Sequence, residues 1–283
     1  MPTTKSAKQL RLRVFAGPNG SGKSTVIEFI RKQEIKGYKI DFGYYVNADD
    51  IAVELSESGI NFQRFGIKTS NLEFKSIAMA SGLVGNEFTD AEFLSSFTLR
   101  ANRLTMISSI YKERLAQIIA DFLRKKLLKE RKKFSFETVF SHPSKLQIMR
   151  DALAAGYKVY LYFVSTESPE INVFRVLARK AKGGHDVPED KIRSRYYRSM
   201  TNLFDACLIA DQAYFFDNSI DGADLKVMAQ VRRVDIFPSV EPYEKLSNWF
   251  INYYMIRQPE YYAMPDAKSF VAGLIRLFHC ASS

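Results

Sequence analysis

Short runs of apolar residues alternate along the chain with longer segments in which apolar residues recur every three or four positions. The first pattern is typical of buried strands, and the second of helices that bury one face. Strands are predicted at residues 12–16, 134–140, 158–164 and 213–216, with a further strand ending near residue 46. Because strands that alternate with helices indicate βαβ units, we expect an α/β protein whose mainly parallel sheet is sandwiched by helices.

Residues 51–132 are predicted to be mainly helical. The sequence Gly-Leu-Val-Gly-Asn at residues 82–86 is typical of a loop, and the last helix is predicted over residues 99–128 with one apolar face. We interpret this segment as a helical insertion between the second and third strands.

The pattern changes after Gly222. Residues 225–237 predict one or two strands, and residues 243–278 predict aromatic-rich helix. We therefore divide the chain into a core domain at residues 1–222 and a mainly helical extension at residues 223–283. The extension is expected either to cover the core or to form a small module.

Composition excludes several classes of protein. The 46% hydrophobic and 25% charged residues are typical of a globular protein, and no apolar run approaches the roughly 18 residues that a membrane span needs. Residues 1–13 lack an apolar signal core, so we expect a cytoplasmic protein without membrane contact. Cys207 and Cys280 have no metal-binding or redox spacing, which predicts reduced structural residues.

The formal charge of +10 has two explanations. Clustered Lys and Arg bind nucleic-acid backbones, but an enzyme with two phosphorylated substrates also needs a cationic site. The densest basic run, residues 124–133, falls at the end of a predicted helix, where cations suit the helix dipole. We interpret it as a solvated helix end.

A phosphate-binding loop follows the first strand. Its sequence matches G-x-x-x-x-G-K-[ST] and comprises Gly17, Pro18, Asn19, Gly20, Ser21, Gly22, Lys23 and Ser24, followed by Thr25. Glycines let main-chain N–H groups surround a polyphosphate, and the following helix points its positive end at the anion. We expect Lys23 to reach the β- and γ-phosphates of ATP and the Ser24 hydroxyl to bind Mg²⁺.

Acidic residues follow two other strands. Asp49 and Asp50 come after the second strand, at the edge where ligands of open α/β sheets bind, and phosphoryl transfer needs a carboxylate to orient the acceptor hydroxyl. We assign that role to Asp49 and helix capping to Asp50; the alternative is that the pair only caps the helix together with Asn47. Glu137 ends a strongly apolar strand and is expected at the ligand edge, or else in a buried ion pair.

A basic segment, residues 179–198, has the features of a closing lid. Two glycines allow a hinge, Pro188 begins a helix, and Arg193, Arg195 and Arg198 lie in its first turns. A lid that brings arginines to the γ-phosphate would stabilise the transferring charge and exclude water. The alternative is a solvated basic face.

Two absences favour transfer to a bound acceptor over hydrolysis. The strand at residues 158–164 is followed by Ser165 and Thr166 instead of Asp-Glu, and the Leu-Ser-Gly-Gly-Gln signature of transporter ATPases does not occur.

Several motifs, in order, resemble the zeta-toxin-like family of P-loop kinases, and more closely the bacterial branch labelled predicted ABC-type ATPases. They are residues 17–25, Asn-Ala-Asp at 47–49, Phe-Glu-Thr at 136–138, Gly-Gly-His-Asp-Val-Pro-Glu-Asp-Lys-Ile-Arg at 183–193, Arg-Tyr at 195–196, Arg-Ser at 198–199 and Asp-Asn-Ser at 217–219. Together they cover about residues 10–220. The chain has Asn-Ala-Asp where zeta toxins have Asp-Asn-Asp, and Gly-Gly-His where they have an arginine-bearing stretch.

The resemblance implies a kinase-like P-loop NTPase fold that uses ATP and Mg²⁺, with Asp49 as the base. It implies that Arg179, Arg195 and Arg198 grip the transferring phosphate. It also implies an acceptor site formed by the residues Asn47, Glu137, Thr138, His185 and Arg193. Zeta toxins phosphorylate UDP-N-acetylglucosamine and are inhibited by a small antitoxin, so a nucleotide sugar and a small antitoxin protein are the expected acceptor and partner.

The sequence therefore predicts an ATP-dependent kinase that phosphorylates a hydroxyl of a small molecule. One alternative, suggested by the net charge, is a kinase of nucleotides or nucleic-acid ends. Another is a nucleotide-dependent ATPase or regulatory binding protein. Nucleic acid is the less favoured partner.

Overall fold

The computed structural model describes residues 9–85, 87–183, 187–234 and 237–258. The chain divides into two compact units. The first unit contains Phe42–Glu137, and the second unit contains Arg11–Asp41 together with the chain from Thr138 onward.

The strands and helices follow one another along both units. The strands are β1 (Arg11–Ala16), β2 (Glu34–Ile35), β3 (Tyr38–Lys39), β4 (Tyr44–Val46), β5 (Ile60–Asn61), β6 (Phe97–Arg100), β7 (Arg103–Met106), β8 (Phe134–Thr138), β9 (Lys158–Ser165), β10 (Gln212–Asp217), β11 (Ala229–Val234) and β12 (Phe237–Pro242). The helices are α1 (Lys23–Lys32), α2 (Ala48–Glu57), α3 (Asn71–Met79), α4 (Asp90–Ser95), α5 (Lys112–Lys129), α6 (Ser144–Ala154), α7 (Pro169–Ala181), α8 (Glu189–Thr201), α9 (Leu203–Ile209) and α10 (Asn248–Tyr253). No helix of these described residues combines the length and apolarity that crossing a bilayer requires.

The second unit contains strands in the order β12-β11-β10-β9-β1. Strand β9 pairs in parallel with β1 and β10, whereas β11 and β12 add antiparallel strands. Strands β1 and β9 are apolar and almost wholly buried, as expected for parallel strands covered on both faces.

Helices cover both faces of this sheet. Successive residues of a strand point to opposite faces. In β10, Phe216 contacts Phe29 of α1 with ring centroids 6.1 Å apart, while Phe215 contacts Phe250 of α10 at 4.6 Å. The predicted mainly parallel sheet between helices is confirmed.

The first unit contains the insertion. Strand β4 pairs in parallel with β8, and β5, β7 and β6 form a small antiparallel sheet. Its core is aromatic: Phe74 lies 5.0 Å from Phe122 and 5.1 Å from Phe97, measured between ring centroids, and all three rings are buried. The insertion is therefore helical, as predicted, but also contains a sheet.

The helix predicted over residues 99–128 was wrong in its first part. Helix α5 begins at Lys112, and the preceding residues form the hairpin of β6 and β7. Phe97 and Leu99 are buried and alternate with exposed residues, which is a strand pattern. Ala101 and Asn102 turn the hairpin with positive φ angles of 46° and 65°.

The basic run at residues 124–133 also differs from its interpretation as a solvated helix end. Arg124 and Lys126 are buried, and they form ion pairs with Asp121 and with Glu73 and Glu130, respectively. Although burial alone disfavours the charge, the hydrogen bonds to Glu73 and Glu130 raise the pKa of Lys126. The partners of these cations are acids of the same unit, so both side chains take part in its internal contacts.

The chain after Gly222 agrees with the predicted strands, and of the helix predicted over residues 243–278 only residues 243–258 are described. Strands β11 and β12 form a hairpin next to β10, and the described residues beyond contain α10 and a short 3-10 turn, Met255–Arg257. Residues 259–283, with Cys280, lie outside the described residues. The described Cys207 is buried, and burial raises the pKa of its thiol. The division at residue 222 remains a prediction.

Candidate functional site

The phosphate-binding loop of the second unit connects β1 to α1. A Cβ atom on Gly17 would lie 2.1 Å from the carbonyl oxygen of Val164, so only glycine fits there. Gly22 has a φ angle of 95°, which favours glycine, and it directly precedes α1. Local sequence thus produces the turn that points the N-terminus of α1 into the loop.

Polar groups of this loop fit a phosphate ligand. The Ser21 hydroxyl is buried and has no hydrogen-bond partner among the described residues. The Lys23 ammonium donates to the carbonyl oxygen of Pro18 at 3.0 Å, across the loop. Ser24 and Thr25, in the first turn of α1, are exposed. An anion in the loop would give the Ser21 hydroxyl an acceptor and would lie beside the Lys23 ammonium.

The candidate Mg²⁺ ligand of this loop is the hydroxyl of Ser24. Among the described residues, no group of three His, Cys, Asp or Glu side chains is placed to hold a metal ion. The exposed Ser24 hydroxyl suits a Mg²⁺ ion that takes most of its ligands from phosphate and water.

Asn218 was missed as a site residue, although it lies in the motif Asp-Asn-Ser. Its side-chain amide donates to the carbonyl oxygen of Ser21 at 2.9 Å. Arg175 of α7 donates to the carbonyl oxygen of Asn218 at 2.6 Å. The loop is therefore held by the segment that follows β10.

Among the predicted lid arginines, Arg195 contacts the phosphate-binding loop, with its guanidinium 3.5 Å from the Asn19 side-chain oxygen. Helix α8 is anchored by Tyr196, whose hydroxyl donates to the carbonyl oxygen of Thr166 at 2.7 Å. Burial raises the pKa of Tyr196, so the hydroxyl stays a donor.

The other predicted residues of the lid segment are differently placed. Arg193 is paired with Glu170 and Glu189, and hydrogen bonds from Ser168 and Arg193 lower the pKa of Glu170 to about 2. Arg198 is exposed and lies 3.5 Å from the Ser194 hydroxyl, and Arg179 is exposed in the last turn of α7. His185 lies outside the described residues.

In the first unit, the structure brings together Asn47, Asp49 and Glu137. Asn47 caps α2, because its side-chain oxygen accepts from the main-chain N–H of Asp49 at 3.0 Å. The assignment of the cap to Asp50 was wrong: Asp50 lies inside the first turn, where an acid suits the helix dipole. The Asp49 side chain is exposed.

Glu137 is held by two side chains of the same unit. Its Oε2 atom accepts from the Tyr45 hydroxyl at 3.0 Å and from the Asn47 amide at 3.3 Å. Tyr45 was not predicted, because nothing local links it to a residue 92 positions away. Thr138 begins the next segment of the second unit, where its hydroxyl accepts from the N–H of Phe140 at 3.1 Å.

A strand, a glycine-rich anion-binding loop and a helix, within a mainly parallel sheet, define an α/β protein of the P-loop class. The family model described as Zeta toxin matches residues 99–218, which is under half of the chain. The predicted resemblance to the zeta toxin family is confirmed over these residues. They include Glu137, Thr138 and the segment at residues 179–198.

Three individual proteins that are similar to this chain match it with low sequence identity or over a short part of its length. An uncharacterized protein of Haemophilus influenzae is 36% identical over 63 residues, or 22% of this chain and 45% of that protein. The crystal structure of AvrRxo1-ORF1:-ORF2 with ATP is 16% identical with a TM-score of 0.46, covering 82% of this chain and 61% of that one. A structure from the PezAT chromosomal toxin-antitoxin system of Streptococcus pneumoniae is 16% identical with a TM-score of 0.44, covering 76% and 70%. The chain thus spans less than two thirds of the length of the Haemophilus influenzae protein and of the AvrRxo1-ORF1:-ORF2 chain that it matches.

Proposed function

We propose that this protein is an ATP-dependent phosphotransferase that moves the γ-phosphate to a hydroxyl of a small molecule, with a nucleotide sugar such as UDP-N-acetylglucosamine as the acceptor class. The observation that carries the proposal is the phosphate-binding loop, with its obligatory glycines, its buried Ser21 hydroxyl without a partner and α1 directly behind it. The family match supports the kinase class.

The proposed reaction assigns a role to each residue. Main-chain N–H groups of the loop and Lys23 hold the phosphates of ATP, and Asp49 orients the acceptor hydroxyl and takes its proton. The acceptor oxygen forms a bond to the γ-phosphorus while the bond to the β,γ-bridging oxygen breaks, which leaves ADP. Bound Mg²⁺, with Ser24 among its ligands, would neutralise charge on the phosphates.

The remaining predicted residues are proposed to bind the phosphate and the acceptor. Arg195 stabilises the transferring phosphate, as Arg179 and Arg198 also would after lid closure. Glu137, oriented by Asn47, accepts from hydroxyl groups of the acceptor. Thr138, His185 and Arg193 remain predicted acceptor contacts. A small antitoxin protein is the proposed partner, supported by the family match.

The alternative of a nucleic-acid kinase has less support from the structure than from the net charge alone. It depends on the positive charge, and two cations of the densest basic run are buried in ion pairs of the first unit. They are therefore not available to bind a phosphate backbone.

The experiment is transfer of labelled γ-phosphate from ATP to a panel of nucleotide sugars, nucleosides and oligonucleotides. We expect a labelled nucleotide sugar with the wild-type protein, and a loss of about a hundredfold or more with Lys23→Ala and with Asp49→Asn. Asp50→Asn is the matched control and should retain transfer. Release of free phosphate only, at a rate that Asp49→Asn does not change, would instead support an ATPase or regulatory binding protein.

A further inference from the structure

The last residue of β10, Asp217, and the two residues after it, Asn218 and Ser219, which together we name the post-β10 segment, include a contact with the phosphate-binding loop. The Asn218 amide nitrogen donates to the Ser21 carbonyl oxygen. A Cβ atom on Gly22 would lie 2.2 Å from this same nitrogen, so the two residues are in close contact. The side chain of Asn218 therefore fixes the peptide between Ser21 and Gly22, which belongs to the anion-binding turn.

The main chain of Asn218 is held as firmly as its side chain. Its N–H donates to the carbonyl oxygen of Ser165, at the end of β9, at 2.9 Å. Its carbonyl oxygen accepts from Arg175, which also pairs with Asp221 at 3.3 Å. Movement of the post-β10 segment would consequently move the amide that holds the loop.

The residue before Asn218 connects this segment to α10. One oxygen of Asp217 accepts from the N–H of Ser219 at 2.7 Å. The other oxygen accepts from the indole N–H of Trp249 at 2.8 Å and from the hydroxyl of Ser247. Trp249 is 1% exposed, so its N–H needs a protein partner.

A second connection runs parallel to the first. The carboxylate of Glu167 accepts from the main-chain N–H groups of Asn248 at 2.9 Å and Trp249 at 3.3 Å. The N–H of Glu167 donates to the Ser219 hydroxyl at 2.8 Å. The start of α10 is therefore joined to both ends of the post-β10 segment within the second unit.

These bonds exceed what packing of α10 alone would need. Trp249 already contacts Phe163 and Phe215, with ring centroids 5.8 and 6.4 Å apart. A hydrogen bond to a carboxylate is among the stronger kinds, and its removal leaves a partly buried acceptor short of a donor. Strand β10 places the main chain of Asp217 beside Ser165 of β9, and the two donors at the start of α10 hold its carboxylate.

We propose that Ser247 and Trp249 are positioning residues for the nucleotide site. Through Asp217 they set the position of Asn218, and through Asn218 they set the shape of the turn that receives the phosphates. This inference rests on the proposed function, since it takes the loop to bind ATP. The chain beyond residue 222 then contributes to nucleotide affinity without touching the nucleotide.

The test compares the dissociation constant of Mg-ATP and the melting temperature for variants of the full chain. Trp249→Phe keeps an aromatic ring but removes the donor, and we expect the dissociation constant to rise about fivefold to tenfold. Ser247→Ala removes the other donor to Asp217 and changes no buried ring. It should raise the dissociation constant of Mg-ATP about threefold. Tyr254→Phe removes a hydroxyl further along the chain and should leave the dissociation constant unchanged.

A double-mutant cycle separates positioning from stability. If Trp249 acts through Asn218, the variant that combines Trp249→Phe with Asn218→Ala should bind ATP no more weakly than Asn218→Ala alone. Wild-type affinity in both donor variants, or fully additive effects in the cycle, would overturn the inference while the proposed function stands. If the wild-type protein shows no ATP binding that depends on Lys23, the proposed function fails, and this inference fails with it.

Discussion

The phosphate-binding loop of the second unit takes its shape from its own glycines and from the N-terminus of α1, and the side-chain amide of Asn218 holds its Ser21 carbonyl oxygen. In the first unit, the predicted acceptor residues are held by side chains, because Tyr45 and Asn47 both donate to Glu137. The comparison teaches that the turn of the predicted nucleotide site follows from local sequence and is then fixed by a distant side chain, whereas the predicted acceptor residues are brought together by side chains that are distant in sequence. Substitutions at the side chains that hold Glu137 should therefore alter acceptor binding and leave ATP binding intact.

The largest effect is expected for Phe74→Ala. Phe74 is fully buried among the aromatic rings of the first unit, so the substitution should lower the free energy of unfolding by about 3–5 kcal/mol. Thermal unfolding monitored by calorimetry measures the loss. Leu72→Ala on the same helix is the control, because Leu72 is 80% exposed and should change stability by less than about 0.5 kcal/mol. Equal losses for the two variants would show that the aromatic cluster is not the core of the unit.

A smaller, more selective effect is expected for Tyr45→Phe. The substitution removes the donor to Glu137 and keeps the ring, so the KM for the acceptor should rise about fivefold while the dissociation constant of ATP stays the same. Tyr38→Phe, in the exposed β3, is the control and should change neither value. A rise in the dissociation constant of ATP would contradict the separation of the two regions.

The smallest effect concerns the ion pair of Glu73 and Lys126. Although burial opposes it, hydrogen bonds from Lys126 and Thr69 lower the pKa of Glu73. The lowered pKa means that the ionised carboxylate stabilises the fold above its unfolded pKa, and that this contribution is lost as the pH falls through the folded value. Glu73→Gln should therefore lower the free energy of unfolding at pH 7 by less than about 1 kcal/mol, and by much less at pH 3. The melting temperature at the two pH values measures this change. If the stability difference between the wild-type protein and Glu73→Gln is the same at both pH values, the charge of Glu73 is not the source of the stabilisation.

Sequence reasoning worked where the determinants are local. The phosphate-binding loop, the strands on either side and the resemblance over residues 99–218 depend on short motifs and on apolar runs. The hairpin of β6 and β7 was missed because Ala101 and Asn102 make its turn without a glycine to mark it. The burial of Lys126 was missed because its partner Glu73 lies 53 positions earlier in the sequence.

The candidate site also combines features that follow from local sequence with contacts between residues that are far apart in the sequence. Lys23 and Ser24 follow from a motif, whereas the cap of α2 was assigned to Asp50, and Asn47 was named only in the alternative. Asn218 lies in a motif, yet the residue that its side chain contacts, Ser21, is 197 positions away. Such long-range contacts have no period or spacing that one sequence could display.

The pairing of β10 with β11 has a consequence for any shortened form of the protein. A chain that stops at residue 222 would lose β11, and Phe215 would lose its contacts with Trp249 and Phe250. Strand β10 would then become an apolar edge with unpaired main-chain groups, which is a template for pairing with another molecule. Aggregation, measured by light scattering, is the expected behaviour of that fragment.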